Sequence, residues 1–193
     1  MQIIVTSFLD ELYGLLRQGP HLITLYEQKD MSFISSLTTW LEESESVLEK
    51  YHRPQVSEIA GIRGQLLSAS NGVYERKVFL LPSSGGSRKI YHATAAILFN
   101  NAQNVLNNLF STFSGYRADA EKYIKQIILI SLQKGSVYPI WQSSLGISDK
   151  LNALWLSFVA DKDIVQGTRQ ILSSVNHADA LRIMDEVITE WKL

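Results

Sequence analysis

The sequence predicts an all-α protein, a multi-helix bundle of about seven helices, on three observations. Apolar residues recur along almost the whole chain at the i, i+3, i+4, i+7 spacing of one helix face. The breaks between these stripes are short turn signals such as Gly19-Pro20 and Asn71-Gly72. The chain has 193 residues and no cysteine, and this length buries a sizeable core without disulfides. We therefore expect a single helical domain over residues 1–193, with any minor boundary near residue 72 or 140.

Three main helices are predicted in the first part of the chain. An apolar stripe over residues 4–15 marks the first helix. Asp30 is suited to cap a long second helix, whose apolar stripe runs over residues 33–51. Arg53-Pro54 then interrupts the pattern, and a third helix follows with its stripe over residues 56–66. Acidic residues fill the opposite face of the second helix, which indicates a solvated surface.

The middle of the chain predicts two long helices joined by a break. The first begins at about Ser87 and ends at Ser114-Gly115, and the second spans about residues 117–132. The second helix contains the run Ile127–Ile130, which is apolar nearly all round and is expected to be central in the fold. Upstream, an apolar run at residues 78–82 is too short for periodicity to separate strand from helix. A short β-hairpin near residues 76–91 is therefore the one exception that the sequence allows.

The last part of the chain predicts three shorter helices after a connector that holds Pro139 and Trp141. The first of the three begins at Ser148, and the second spans about residues 164–175. The third spans about residues 178–191, with Asn176 as its N-cap.

Composition excludes several classes of function. The net charge is −1 and the pI is about 6.4, which argues against binding of polyanions through bulk charge. The absence of cysteine excludes disulfides, zinc–thiolate sites and cysteine nucleophiles. The sequence contains no stretch of about 18 apolar residues, so no membrane span is predicted. Asp10 and Glu11 interrupt the first apolar run, so no signal peptide is predicted either. A cytoplasmic protein is therefore expected.

No local motif for catalysis, metal binding or cofactor binding occurs in the sequence. Glu49 and His52 have the Glu-x-x-His spacing of di-iron bundles, but that chemistry needs a second copy of the motif, which is absent. The nucleophile elbow G-x-S-x-G and the zinc motif H-E-x-x-H are also absent. We therefore assign no catalytic residue, metal or cofactor and favour a non-enzymatic role. An enzyme site assembled from scattered residues stays open.

A glycine- and serine-rich loop is the first candidate site. The loop opens a helix, where free backbone amides and the helix dipole favour an anion, and basic residues lie on both sides of it. It lacks the P-loop and G-x-G-x-x-G patterns, and such loops more often only connect two elements. The candidate anion- or nucleic-acid-binding residues are Arg76, Lys77, Ser84, Gly85, Gly86, Ser87, Arg88 and Lys89.

The second candidate site is an uncharged helix face. Residues 90–116 contain no Asp, Glu, Lys or Arg but five asparagines. Other helices of the bundle are expected to cover these amides, because buried polar groups are normally paired. The alternative is a subunit or partner interface, because interface cores are depleted in charge and a polar position can set helix register. The candidate interface residues are Asn101, Asn104, Asn108 and the connector residue Trp141.

These features favour an interaction or scaffold subunit of a larger assembly, which uses the uncharged central helix as its interface. A protein partner or a homo-oligomer is expected. The alternative is a helical nucleic-acid- or nucleotide-binding module that uses the basic loop at residues 76–89.

Overall fold

A computed structural model describes residues 4–73 and 86–192, and α-helix is the regular secondary structure throughout these ranges. The prediction of an all-α fold of about seven helices is confirmed. None of the helices in the described ranges has the length and hydropathy that a membrane span needs. The helices are α1 (Thr6–Leu16), α2 (Gly19–Glu27), α3 (Phe33–Lys50), α4 (Val56–Ser70), α5 (Ser87–Gln133), α6 (Val137–Trp141), α7 (Ile147–Ala160), α8 (Val165–Ser174) and α9 (His177–Trp191).

The prediction of a β-hairpin near residues 76–91 is wrong for its second strand, which is helical. Helix α5 begins at Ser87, so residues 87–91 are helical. The backbone N–H groups of Lys89 and Ile90 donate to the carbonyl of Gly86, which closes the first turn. The rest of the predicted hairpin, residues 76–85, lies outside the described residues.

Helix α5 is one continuous helix of 47 residues, so the predicted break at Ser114-Gly115 is wrong. A glycine inside a helix costs roughly 1 kcal/mol relative to alanine, but unlike proline it keeps its N–H donor and adds no clash. The apolar stripe also keeps its helical spacing across the glycine, because Leu109, Phe113 and Ala120 are all buried. Continuous packing on one face therefore outweighs the local preference for a turn.

The apolar run near the end of α5 is buried on one side only. Ile127 and Ile128 are 3% and 1% exposed, whereas Leu129 and Ile130 are 49% and 36% exposed. The run was expected to be central in the fold, but two of its four residues are exposed within the described part of the chain. Helices α8 and α5 pack closely at Gly167 and Ile127. A Cβ placed on Gly167 would lie only 2.6 Å from Ile127 Cγ2.

The helices group into two compact units. Residues 8–111 form the first unit, and the described residues of 1–7 and 112–193 form the second. Both divisions lie inside helices, at residues 7/8 in α1 and 111/112 in α5. The prediction of a single domain with minor boundaries near residue 72 or 140 stays a prediction.

The first unit has an aromatic and aliphatic core built from α1 to α5. Trp40 is 1% exposed, and its ring lies 5.3 Å from that of Phe99, centroid to centroid. Its indole N–H donates to the Leu15 carbonyl over 2.9 Å, so the one polar atom of the side chain is paired where it is buried. The Trp40 side chain is therefore buried without an unpaired donor.

The second unit is organised around a buried carboxylate. Asn176 caps α9 as predicted, since its side-chain oxygen accepts from the Asp179 N–H over 2.7 Å. The Asp179 carboxylate accepts from the N–H of Val5 over 2.6 Å, from the N–H of Thr6 over 3.2 Å, and from the Thr6 hydroxyl. This residue thus joins the start of α9 to the first turn of α1.

Candidate functional site

The asparagine face of α5 is exposed. The expectation that other helices cover its amides is wrong, because the core contacts of α5 come from apolar residues at other positions around the helix, such as Ala102 and Leu106. With a spacing of 3.6 residues per turn, the amides are left on the solvent side. The exposed residues are Asn100, Asn101, Asn104, Asn107 and Asn108.

A groove of about 440 Å³ lies between α4 and α5 and includes part of this face. Three asparagines with i, i+3, i+7 spacing line it on the α5 side. Its apolar part comes from Ile62, which is 7% exposed, and from Val105. Glu58 is the one charged residue among the described residues that line it. The remaining lining residues are Asn101, Asn104, Asn108, Ser57, Gly61 and Gln65. We call this combination of the groove and the exposed asparagines the asparagine surface.

Trp141 is the fourth candidate interface residue. It lies in the short helix α6 of the second unit, whereas Asn101, Asn104 and Asn108 belong to the first. The Trp141 ring is half-buried, and the Lys150 ammonium lies 5.6 Å from its centroid and donates to the Trp141 carbonyl over 2.8 Å. Lys150 of α7 therefore links that helix to Trp141 of α6.

The basic loop is described only in its second half. Arg76, Lys77, Ser84 and Gly85 lie outside the described residues. Gly86 directly precedes α5, and Ser87, Arg88 and Lys89 form its exposed first turn. Two cations in the first turn oppose the helix dipole, which is positive at this end. A bound anion would relieve that repulsion.

A pocket of about 810 Å³ lies beside this first turn. Gly86 and the first turn of α5, through Arg88 and Lys89, contribute to it, and the next turn contributes His92 and Ala93. The opposite side comes from the end of α2, through Tyr26, Glu27 and Lys29. Sequence reasoning missed the α2 residues, because about sixty positions separate them from Arg88 and no local spacing indicates that they meet.

Aromatic rings form one wall of the pocket. The rings of Tyr26 and His92 lie 5.5 Å apart with an interplanar angle of 19°, so they are stacked. Phe33 packs against both, at 5.4 Å from Tyr26 and 5.1 Å from His92. Phe33 is 1% exposed, whereas Tyr26 is 38% exposed. The buried ring therefore supports two rings that face the pocket.

The surroundings of His92 disfavour its charged form. Burial lowers the pKa of His92, and the nearby Arg88 charge lowers this pKa further, while a hydrogen bond to the Asp30 carbonyl opposes both. An imidazole with a lowered pKa is uncharged at neutral pH. The ring wall of the pocket is therefore neutral, and its positive charge comes from Lys29, Arg88 and Lys89.

Titratable residues do not gather into a metal site in the ranges that the structure describes, where no three His, Asp or Glu residues are placed to share an ion. No protein-family model, no curated protein and no solved structure matches this chain.

Proposed function

We propose that this protein is an interaction subunit that pairs with a second copy of itself through the asparagine surface. One observation carries the proposal: α5 exposes five asparagines within a 27-residue stretch that has no charged side chain. Solvated helix faces are normally charged and polar, and interface cores are depleted in charge. An exposed face that combines amides with no charge is therefore better suited to contact with protein than to contact with water.

The chemistry of the asparagine surface favours a copy of the same chain as the partner. Each carboxamide both donates and accepts hydrogen bonds. In a two-fold symmetric dimer the same surface meets itself, so residue i of one copy contacts residue j of the other, and the reverse. Amides at Asn101, Asn104 and Asn108 can pair in such an arrangement, whereas a face of one charge would repel its copy.

The groove beside the asparagines gives the interface an apolar part. Ile62 and Val105 line it between α4 and α5. A pair of helices that approach along this groove would remove these apolar groups from water, and the amides would fix the register, as a polar residue does at a single position of a coiled coil. The asparagine surface thus offers both affinity and specificity for one geometry.

The test is the solution mass of the double variant Asn101→Arg/Asn108→Arg, by light scattering on a sizing column. We expect the wild type to have about twice the chain mass of 21.8 kDa. We expect the double variant to be monomeric with unchanged helical circular dichroism, because like charges brought together across the two-fold axis repel. The matched control is Gln126→Arg, which adds one charge at an exposed amide of the same helix outside the asparagine surface.

A monomeric wild type at every concentration tested would overturn the proposal, and so would a double variant that remains dimeric. Loss of the dimer in the Gln126 control would also count against it, because that result would place the interface elsewhere on α5.

A further inference from the structure

We propose that the pocket between the end of α2 and the start of α5 binds a nucleoside monophosphate, that is, a small molecule that joins a flat ring to one phosphate group. This inference is independent of the asparagine surface. The sequence suggested a nucleic acid or a nucleotide as the ligand of the basic loop. The charge, the rings and the size of the pocket favour a small nucleotide.

The charge of the pocket suits a phosphate. Lys29, Arg88 and Lys89 are exposed cations on its lining, and Glu27 is the one carboxylate among the described lining residues. Lys29 follows the end of α2, whereas Arg88 and Lys89 lie at the start of α5, so the fold brings together cations that are far apart in sequence. Backbone N–H groups at the start of α5 add to the attraction, because the first turn of a helix has unsatisfied donors.

Lys29 occupies a backbone position that normally selects glycine. Its φ is 54°, in the left-handed region. The N–H of Lys29 donates to the Tyr26 carbonyl and the N–H of Asp30 donates to the Leu25 carbonyl, which is the Schellman pattern that ends a helix. A lysine at this position costs conformational energy that a glycine would not, because its Cβ approaches the backbone. Unlike glycine, it supplies a cation to the pocket.

The rings of the pocket suit a nucleobase. Tyr26 and His92 are stacked on each other, both line the pocket, and Phe33 supports them from the core. Bases stack on aromatic side chains with little preference for sequence, because every base has a flat π face. Since His92 is neutral, its ring adds π surface to the wall without adding charge.

The size of the pocket favours a small molecule over a polymer. Its volume of about 810 Å³ lies within the range of roughly 300–1,000 Å³ that is typical of small-ligand sites. The chain as a whole has a net charge of −1, which does not favour a long polyanion. A nucleoside monophosphate matches one ring wall and one cationic end.

Binding is tested by calorimetric titration of the full chain with each of the four common ribonucleoside monophosphates. Inorganic phosphate and the free nucleoside are titrated as half-ligands, and a single-stranded oligonucleotide as a polymer. We expect at least one monophosphate to bind at least about tenfold more tightly than either half-ligand, because it uses the rings and the cations together. We expect the variant Arg88→Ala/Lys89→Ala to lose about tenfold or more in affinity, the size expected for losing hydrogen bonds to a charged group.

A paired glycine experiment separates a binding role of Lys29 from a structural one. Lys29→Gly should raise the Tm, since glycine adopts the left-handed conformation without strain, and should weaken monophosphate binding. The matched control is His52→Gly. His52 has a φ of 52° and ends α3 in the same hydrogen-bonding pattern, but it does not line the pocket. This control should raise the Tm and leave binding unchanged.

Four results would overturn the proposal. They are no binding of any monophosphate, binding of phosphate alone as tight as that of the monophosphate, binding of the oligonucleotide in preference to all monophosphates, and binding that is unchanged in both Lys29→Gly and Arg88→Ala/Lys89→Ala. The second result would indicate an unspecific anion site, and the third a site for a nucleic-acid strand.

Discussion

Replacement of Asp179 by alanine is expected to be among the most destabilising single substitutions in the described part of the chain. This carboxylate is 5% exposed and accepts three hydrogen bonds, from the N–H groups of Val5 and Thr6 and from the Thr6 hydroxyl. The donors are buried as well, with Val5 at 0% and Thr6 at 3% exposure. Alanine would therefore leave buried donors without their acceptor.

The magnitude follows from the number of donors that lose their partner. A buried donor without a partner costs about 1–3 kcal/mol. The Thr6 hydroxyl can rotate toward another acceptor, but the two backbone N–H groups cannot. We therefore expect Asp179→Ala to lower the free energy of unfolding by about 3–5 kcal/mol, a large part of the roughly 5–15 kcal/mol that is typical of a whole protein. Asp179→Asn keeps one acceptor oxygen and should cost about half as much.

The assay is urea unfolding followed by helical circular dichroism, with Asp185→Ala as the matched control. Asp185 lies on the same helix, is half-buried, and its side chain forms no hydrogen bond or ion pair with the residues that the structure describes, so its replacement should change stability by less than about 0.5 kcal/mol. If Asp179→Ala cost no more than the control, the segment before α1 would detach without loss to the rest of the fold. That result would refute the role assigned to this carboxylate.

Two further predictions concern helix glycines and the pH dependence of stability. Gly115→Ala should raise the free energy of unfolding by about 0.5–1 kcal/mol, since a Cβ there meets nothing within 4 Å, whereas Gly167→Ala should lower it by about 1–3 kcal/mol through the clash with Ile127. Urea unfolding of both variants checks this contrast, and equal effects would contradict it. Burial lowers the pKa of His92 in the folded state. The unfolded chain therefore binds more protons as the pH falls below about 6.5, and stability decreases over that window. His92→Gln should remove that part of the pH dependence in denaturant titrations, and a profile parallel to that of the wild type would count against it.

The division of α5 shows where sequence reasoning about the fold failed. Ser114-Gly115 has the composition of a helix end, and a local rule predicts a break there. The buried stripe from Leu109 through Phe113 to Ala120 continues across it, and helix stability in proteins comes mainly from packing of the apolar face. The stripe is visible in the sequence. Whether its packing stabilises the helix more than Gly115 destabilises it depends on the helices that cover the stripe.

The two candidate sites were predictable to different degrees. The uncharged stretch of α5 is visible in the sequence, but whether its asparagines are covered depends on which helices pack beside them. The expectation that other helices cover them was wrong. The basic residues Arg88 and Lys89 are equally visible. The rings and the cation that complete the pocket, Tyr26 and Lys29, come from another helix, and no local pattern connects them to α5.

The sequence by itself determined the helical class, the positions of most helices, and the cap of α9 by Asn176, because these depend on periodicity and on side-chain chemistry within a few residues. Only the tertiary structure decided the continuity of α5, the exposure of its asparagines, the pocket between α2 and α5, and the contact of Asp179 with Val5 and Thr6. Each of these depends on residues distant in the chain, whose approach is set by the packing of whole helices and not by local preference.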